Sequence, residues 1–180
     1  MTDAETDIGR DEVDDIVEAW RRERPDLDVS PLEVLSRLTR LARHLDRARS
    51  QSFALHELET WEFDVLAALR RAGGSHELSP GRLLQQTLVT SGTMTNRIDR
   101  LTARGLVERH PDAEDRRGVI VRLTDEGAAK ADSALSDLLE QERDILAALP
   151  ESQRQVLADL LRVLVLPFDH ARPSPKVLNP

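Results

Sequence analysis

Thr93, Asn96 and Arg100 stand three and four residues apart, so in a helix wound at about 100° per residue they share one face. A hydroxyl, an amide and a guanidinium so placed suit a DNA major groove, where amides and arginines pair with base edges and hydroxyls take phosphate oxygens. Met94, Ile98 and Leu101 fall on the opposite face and can be packed inward. Thr90 or Ser91 can cap the helix start, and Gly105 can end it in the left-handed conformation. The outer face of this helix offers Ser91, Thr93, Thr95, Asn96 and Arg100 and no large apolar group. By itself such a face reads as ordinary solvated surface; its neighbours reverse that reading.

Those neighbours are the elements that must hold the helix against a partner. Ser79-Pro80 starts a short helix carrying Leu83, Leu84 and Leu88, and a brief turn leads into the helix just described, which makes a helix-turn-helix. Two strand-like runs follow, Leu106 to His110 and Gly118 to Leu123, around a polar tip from Pro111 to Arg117. Helix-turn-helix plus hairpin predicts a winged helix. Arg116 and Arg117 at the wing tip add candidate DNA contacts. Residues 97–122 carry seven arginines against five carboxylates, a local basic excess on a chain of net charge −8. Such a surface on an acidic body can bind phosphates while discouraging indiscriminate binding.

The rest of the chain predicts helices around this centre. Residues 1–10 are polar and predict a disordered N-terminus. Val13, Ile16, Val17 and Trp20 repeat at helical spacing between Asp11 and about Arg24, ahead of Pro25. From Pro31 to about Leu58 a stripe of Leu32, Leu35, Leu38, Leu41, Leu45 and Ala48 exceeds what a small domain can cover, so a second subunit is its expected cover. Trp61 to Arg71 is apolar nearly all round, which predicts a buried helix with Asp64 as the charge in its middle, and Gly73-Gly74 breaks it. Thr124 opens a long helix to about Leu149, and Pro150 opens a last one that Pro167 closes before a proline-rich tail. The fold class is mainly α with a small β-hairpin wing. The predicted organisation is residues 11–60 for N-terminal helices serving as lid and dimerisation arm, 61–123 for the winged helix, 124–166 for C-terminal dimerisation helices and 167–180 for the tail.

Composition excludes several classes. Without cysteine there is no disulfide, thiolate zinc site or cysteine nucleophile. The N-terminus lacks the pattern of a signal peptide and no apolar run approaches the ~20 residues of a bilayer span, which points to the cytoplasm. There is no Gly-rich phosphate loop, nucleophile elbow or metal cluster, so an enzyme is not expected, and no cofactor is implied. His44, His56, His76, His110 and His170 lack the spacing of a helical metal pair. His44, beside the long leucine stripe, is a possible source of pH sensitivity. A winged helix used purely as a protein-interaction module is the competing reading, and the wing arginines count against it.

The run Ser91-Gly-Thr-Met-Thr-Asn-Arg-Ile-Asp-Arg-Leu101, then Gly105-Leu-Val-Glu-Arg109, then Asp115-Arg-Arg-Gly-Val-Ile-Val-Arg-Leu-Thr124 resembles the MarR family of winged-helix transcriptional regulators over residues 31–166. The resemblance implies a homodimer on a pseudo-palindromic operator, usually a repressor released by a small ligand. It further implies that Asp115 and Arg117 pair to shape the wing tip, with the arginine reaching the minor groove. Arg97 falls on the inward face of its helix, and an unpaired buried charge is costly, so the spacing predicts an ion pair between Arg97 and Asp64. An added N-terminal helix bearing Trp20, with Glu62-Phe-Asp-Val-Leu66, is similar to the urate-responsive branch of the family. That similarity implies a ligand-binding and switch set of Trp20, Asp64, Arg97 and Arg109, in which a planar anion such as urate competes with Asp64 for Arg97. Another aromatic or phenolic ligand fits the same residue types.

Overall fold

The computed structural model describes residues 9–87, 90–112 and 118–170. Among them are seven helices and three short strands, in two compact units that meet within one long helix, the first ending at Ala48 and the second beginning at Arg49.

In the first unit, α1 (Glu12–Glu23) starts at a reciprocal cap. The Asp11 carboxylate accepts from the backbone N–H of Val13 at 2.8 Å and Asp14 at 3.1 Å, and the Asp14 carboxylate accepts from the Asp11 N–H at 2.8 Å. Helix α2 (Ser30–Leu55) supplies Arg37, whose guanidinium donates to both capping carboxylates at 2.7–3.0 Å. Val13 and Val17 bury against Val29 and Leu32, while Trp20 on the same helix stays 48% exposed. Leu35, Leu38 and Leu41 of the predicted stripe are also exposed.

The second unit holds the main core. Phe53, in the last turn of α2, stacks on Phe63 of α3 (Thr60–Arg71) at a centroid distance of 4.0 Å, and Val65, Leu66, Ala68 and Leu69 are fully covered. Gly73 and Gly74, both at positive φ, turn the chain into β1 (Glu77–Leu78). This strand is absent from the sequence reading because two residues carry no period. Helices α4 (Pro80–Thr87) and α5 (Ser91–Ala103) form the helix-turn-helix, and β2 (Val107–Pro111) and β3 (Val119–Leu123) form the antiparallel hairpin. The sheet order is β1-β3-β2, with Glu77 opposite Arg122 and Val107 opposite Leu123. The predicted wing tip, with Asp115, Arg116 and Arg117, lies outside the described residues.

Helix α6 (Asp125–Leu146) begins at Thr124, whose hydroxyl accepts from the Gly127 N–H at 3.0 Å and donates to the Gly105 carbonyl at 2.8 Å. A Cβ on Gly127 would stand 2.1 Å from the Leu106 carbonyl oxygen, so glycine is what lets α6 seat on the chain leaving α5. Helix α7 (Glu151–His170) runs through Pro167 rather than ending there. The proline sits in the last turn, where losing one N–H to the carbonyl of Val163 sacrifices little helix. The predicted proline-rich tail beyond His170, residues 171–180, lies outside the described residues. No helix among the described residues is long and apolar enough to cross a membrane.

Candidate nucleic-acid interface

Helix α5 is pinned by Met94, Ile98 and Leu101, each at most 1% exposed. Their burial leaves Ser91, Thr93, Thr95, Asn96 and Arg100 outward, as the spacing predicts. The Thr90 hydroxyl caps the start, accepting from the Thr93 N–H at 3.4 Å. At the far end Gly105 takes φ +71°, and the Leu106 N–H closes back on the Leu101 carbonyl at 3.0 Å. Thr95 spends its hydroxyl on the Ser91 carbonyl at 3.2 Å, whereas the exposed Asn96 amide has no protein partner among the described residues.

The ion pair predicted between Asp64 and Arg97 is not formed. Asp64 is half-exposed, and its partner is Arg49 of α2 at 3.4 Å. Arg97 instead lies over the Trp61 ring, 5.3 Å from its centroid. Helical phase explains the correction. Asp64 and Arg71 share the open side of α3, while Glu62, Leu66 and Leu69 share the covered side, about 200° round from Asp64. Glu62, not Asp64, is therefore the carboxylate facing the core, at 1% exposure. Its cation is Arg104 at the C-cap of α5, 2.5 Å away and seven residues beyond Arg97, hence on nearly the same face two turns on. Trp61 is half-buried rather than fully covered.

Glu62, Arg104, Glu59, Trp61 and Arg49 were not singled out from the sequence. The Glu62-Leu66-Leu69 stripe was the available signal for the buried carboxylate; nothing in residue type signals the others. Glu59 Oε1 accepts from Arg100 at 2.5 Å and its Oε2 accepts from the Trp61 indole N–H at 2.7 Å. The indole N–H first, and Arg100 second, hold the Glu59 carboxyl below the usual carboxylate range. Arg100 also stacks on the Trp61 ring, 4.7 Å from its centroid. Arg109 on β2 pairs with Asp99 on the flank of α5 at 2.6 Å.

Of the four residues predicted to respond to a ligand, the structure thus gives three different partners to Asp64, Arg97 and Arg109, and Trp20 belongs to the other unit. Asp64 lines a cavity of about 510 Å³ together with Arg49, Arg70, Arg71 and the apolar side chains of Phe63 and Leu138. Two of those cations are already paired, Arg49 with Asp64 and Arg70 with Asp132 at 2.9 Å. Its walls combine apolar side chains with three guanidiniums and three carboxylates, Asp64, Asp132 and Glu142, a size and mixture able to take a small molecule. Among the described residues no group of histidines and carboxylates is placed to hold a metal ion.

Comparison with known proteins gives a consistent result. A family model described as MarR family matches residues 56–118. The HTH-type transcriptional regulator PecS of Dickeya dadantii is 42% identical over 150 residues, covering 83% of this chain and 90% of PecS. A mutant MarR from Escherichia coli, solved in complex with operator DNA, superposes with a TM-score of 0.63 at 27% identity, over 77% of this chain and 99% of that one. BpsR of Bordetella bronchiseptica, whose DNA binding is regulated by 6-hydroxynicotinic acid, superposes with a TM-score of 0.61 at 27% identity, over 73% and 91%.

Proposed function

This chain belongs to the MarR family of transcriptional regulators, which are not enzymes, and from that premise we propose that it is a homodimeric repressor released from its operator by a small planar anion. The observation that carries the DNA-binding part is the division of α5 into a sealed inner face and an open outer row. Met94, Ile98 and Leu101 fix the helix, so Ser91, Thr93, Thr95, Asn96 and Arg100 are presented together on a rigid rod. Rigid presentation is what base readout needs, since each good amide or guanidinium pair discriminates by about 1–3 kcal/mol. Arg116 and Arg117, shaped by Asp115, are assigned to the adjacent groove on the resemblance alone.

The dimer reading rests on apolar side chains that one chain leaves in water. Val34, Leu35, Leu38 and Leu41 of α2, and Val156, Leu160, Val163 and Leu164 of α7, are all at least 39% exposed. A two-fold related copy covers such stripes and sets two α5 helices one DNA turn apart.

The ligand reading rests on the cavity at Asp64. A planar anion entering it is attracted by Arg49, Arg70 and Arg71 and competes with Asp64 for Arg49, an ion pair already within reach. The same helix carries Glu62, so a displacement of α3 is passed to Arg104 and the end of α5. Arg97 and Arg109, stacked and paired against the α3–α5 junction, complete the responsive set, and Trp20 is retained from the resemblance. Inverting a 99:1 DNA-competent population requires the ligand to favour the released state by about 5.5 kcal/mol. The regulation of BpsR by 6-hydroxynicotinic acid supports an aromatic acid as readily as urate.

A gel-shift titration of the full chain on DNA from upstream of its own gene, with urate and 6-hydroxynicotinate added separately, tests both parts. Retention reversed by one of the two anions supports the reading. Retention indifferent to both removes the ligand class, and no retention removes the operator.

A further inference from the structure

The DNA-facing side of the second unit contains a carboxylate that this function does not call for. Glu59 stands just before α3, exposed, in a place where the partner to be bound is a polyanion. Its two oxygens are both used: one accepts from Arg100 at 2.5 Å, the other from the Trp61 N–H at 2.7 Å. Arg100 lies between this carboxylate and the face of Trp61, and Arg97 approaches the same ring. The cluster opens on a cleft of about 470 Å³ whose other walls are Gly92, Thr93 and Asn96, the reading row of α5. The Glu59 oxygen that takes the guanidinium N–H makes the charge-assisted hydrogen bond that a phosphate oxygen would make.

Resting on the DNA-binding reading, we propose that Glu59 is an internal phosphate surrogate. In the DNA-free protein it holds Arg100 on Trp61, and DNA must win the guanidinium from it. Two consequences follow. Arg100 is kept from wandering, so it is delivered to the duplex from one defined place. Breaking the Glu59–Arg100 pair is a cost that every complex bears alike, and it is recovered only where Asn96 and its neighbours find matching bases. Glu59 thereby lowers affinity for DNA that lacks the operator. The pair itself is weak enough to yield, since both side chains are more than half exposed.

The test uses the whole chain and a 30-base-pair mixed-sequence duplex without a palindrome, titrated across salt concentrations. Relative to wild type, E59Q binds this duplex about fivefold more tightly at moderate salt, since an exposed pair no longer opposes release of Arg100. The slope of log affinity against log salt steepens by about 0.9, the contribution of one phosphate contact. In an R100Q background, E59Q loses most of its effect. Trp20 and Trp61 are the two tryptophans of the chain, so a W20F protein reports Trp61 alone. Its emission changes on adding DNA as Arg100 leaves the ring, and that change is absent in R100Q. An E59Q protein no tighter than wild type, or an E59Q effect of equal size with and without Arg100, overturns the surrogate while leaving DNA binding intact. Wild-type protein with no salt-dependent binding to any duplex overturns the function and this inference together.

Discussion

Arg104 Nη1 lies 2.5 Å from Glu62 Oε2, tying the C-cap of α5 to the first turn of α3, the most buried helix among the described residues. The same carboxylate oxygen accepts from the Glu59 N–H at 2.9 Å, and Arg104 Nη2 donates to the Glu57 carbonyl at 2.7 Å. One ion pair thus fixes the α2–α3 turn, the start of α3 and the end of α5. Replacing Arg104 by Met strands a nearly inaccessible carboxylate. The expected loss is about 3 kcal/mol, at the low end for breaking a buried pair because the guanidinium is one-third open to water. Urea unfolding of R104M against wild type measures it. E62Q, which leaves no uncompensated buried carboxylate, should lose less; equal losses would show that the charge is not what matters there.

Gly127 is the second fixed point. Its missing side chain admits the Leu106 carbonyl where a Cβ would come within 2.1 Å, and that obstacle is backbone, which cannot swing aside. Gly127→Ala should therefore destabilise by about 1–3 kcal/mol, as overpacking does, in spite of alanine's better helix propensity. The thermal midpoint of G127A should fall, whereas G92A, on an open face with nothing within 4 Å, should hold or rise.

Asn96 and Arg100 share a face of α5 but should fail differently when removed. Asn96 is assigned to a base edge, so N96A should cost about 1–3 kcal/mol on the operator and relax the preference at one base position. Its salt dependence should match wild type. Under the phosphate-surrogate proposal Arg100 goes to phosphate rather than to a base edge, so R100A should weaken binding on all sequences alike and flatten the salt slope by about 0.9. Fluorescence-anisotropy titrations at several salt concentrations separate the two; a flattened slope in N96A would reassign that amide to the backbone.

The winged helix was legible because its signals are local. The buried row of α5, the Gly105 stop and the Thr124 start each depend on a few adjacent residues. What escaped was long-range or lacked periodicity: β1, which exists because Leu78 and Glu77 find Val121 and Arg122 across the sheet, and the choice of partner for each buried charge. A position at the middle of an apolar helix points to Asp64, yet the centre of a helix by length is not its centre by phase. The prediction of a carboxylate–arginine link from α3 to α5 had the right helices and the wrong residues. Glu62 and Arg104 carry the buried link, and Glu59 and Arg100 add an exposed one.

Arg70 and Asp132 supply the link between α3 and α6, and their response to acid has a definite sign. Arg70 grips both carboxylate oxygens at 2.9–3.2 Å, and this contact above all holds the Asp132 carboxyl below its usual range. The depressed value belongs to the folded state, so on acidification the unfolded chain takes up its proton first. The stabilisation is therefore complete above about pH 5, where an unfolded aspartate is almost fully ionised, and is lost as pH falls through the lower folded value. Both side chains are 40% exposed or more, which limits the contribution to about 1 kcal/mol at most. Asp132→Asn should be less stable than wild type at pH 6, and the gap should close by pH 2–3. Denaturant midpoints collected from pH 6 downwards measure the gap, and a gap that widens with acid would reverse the sign argued for this pair.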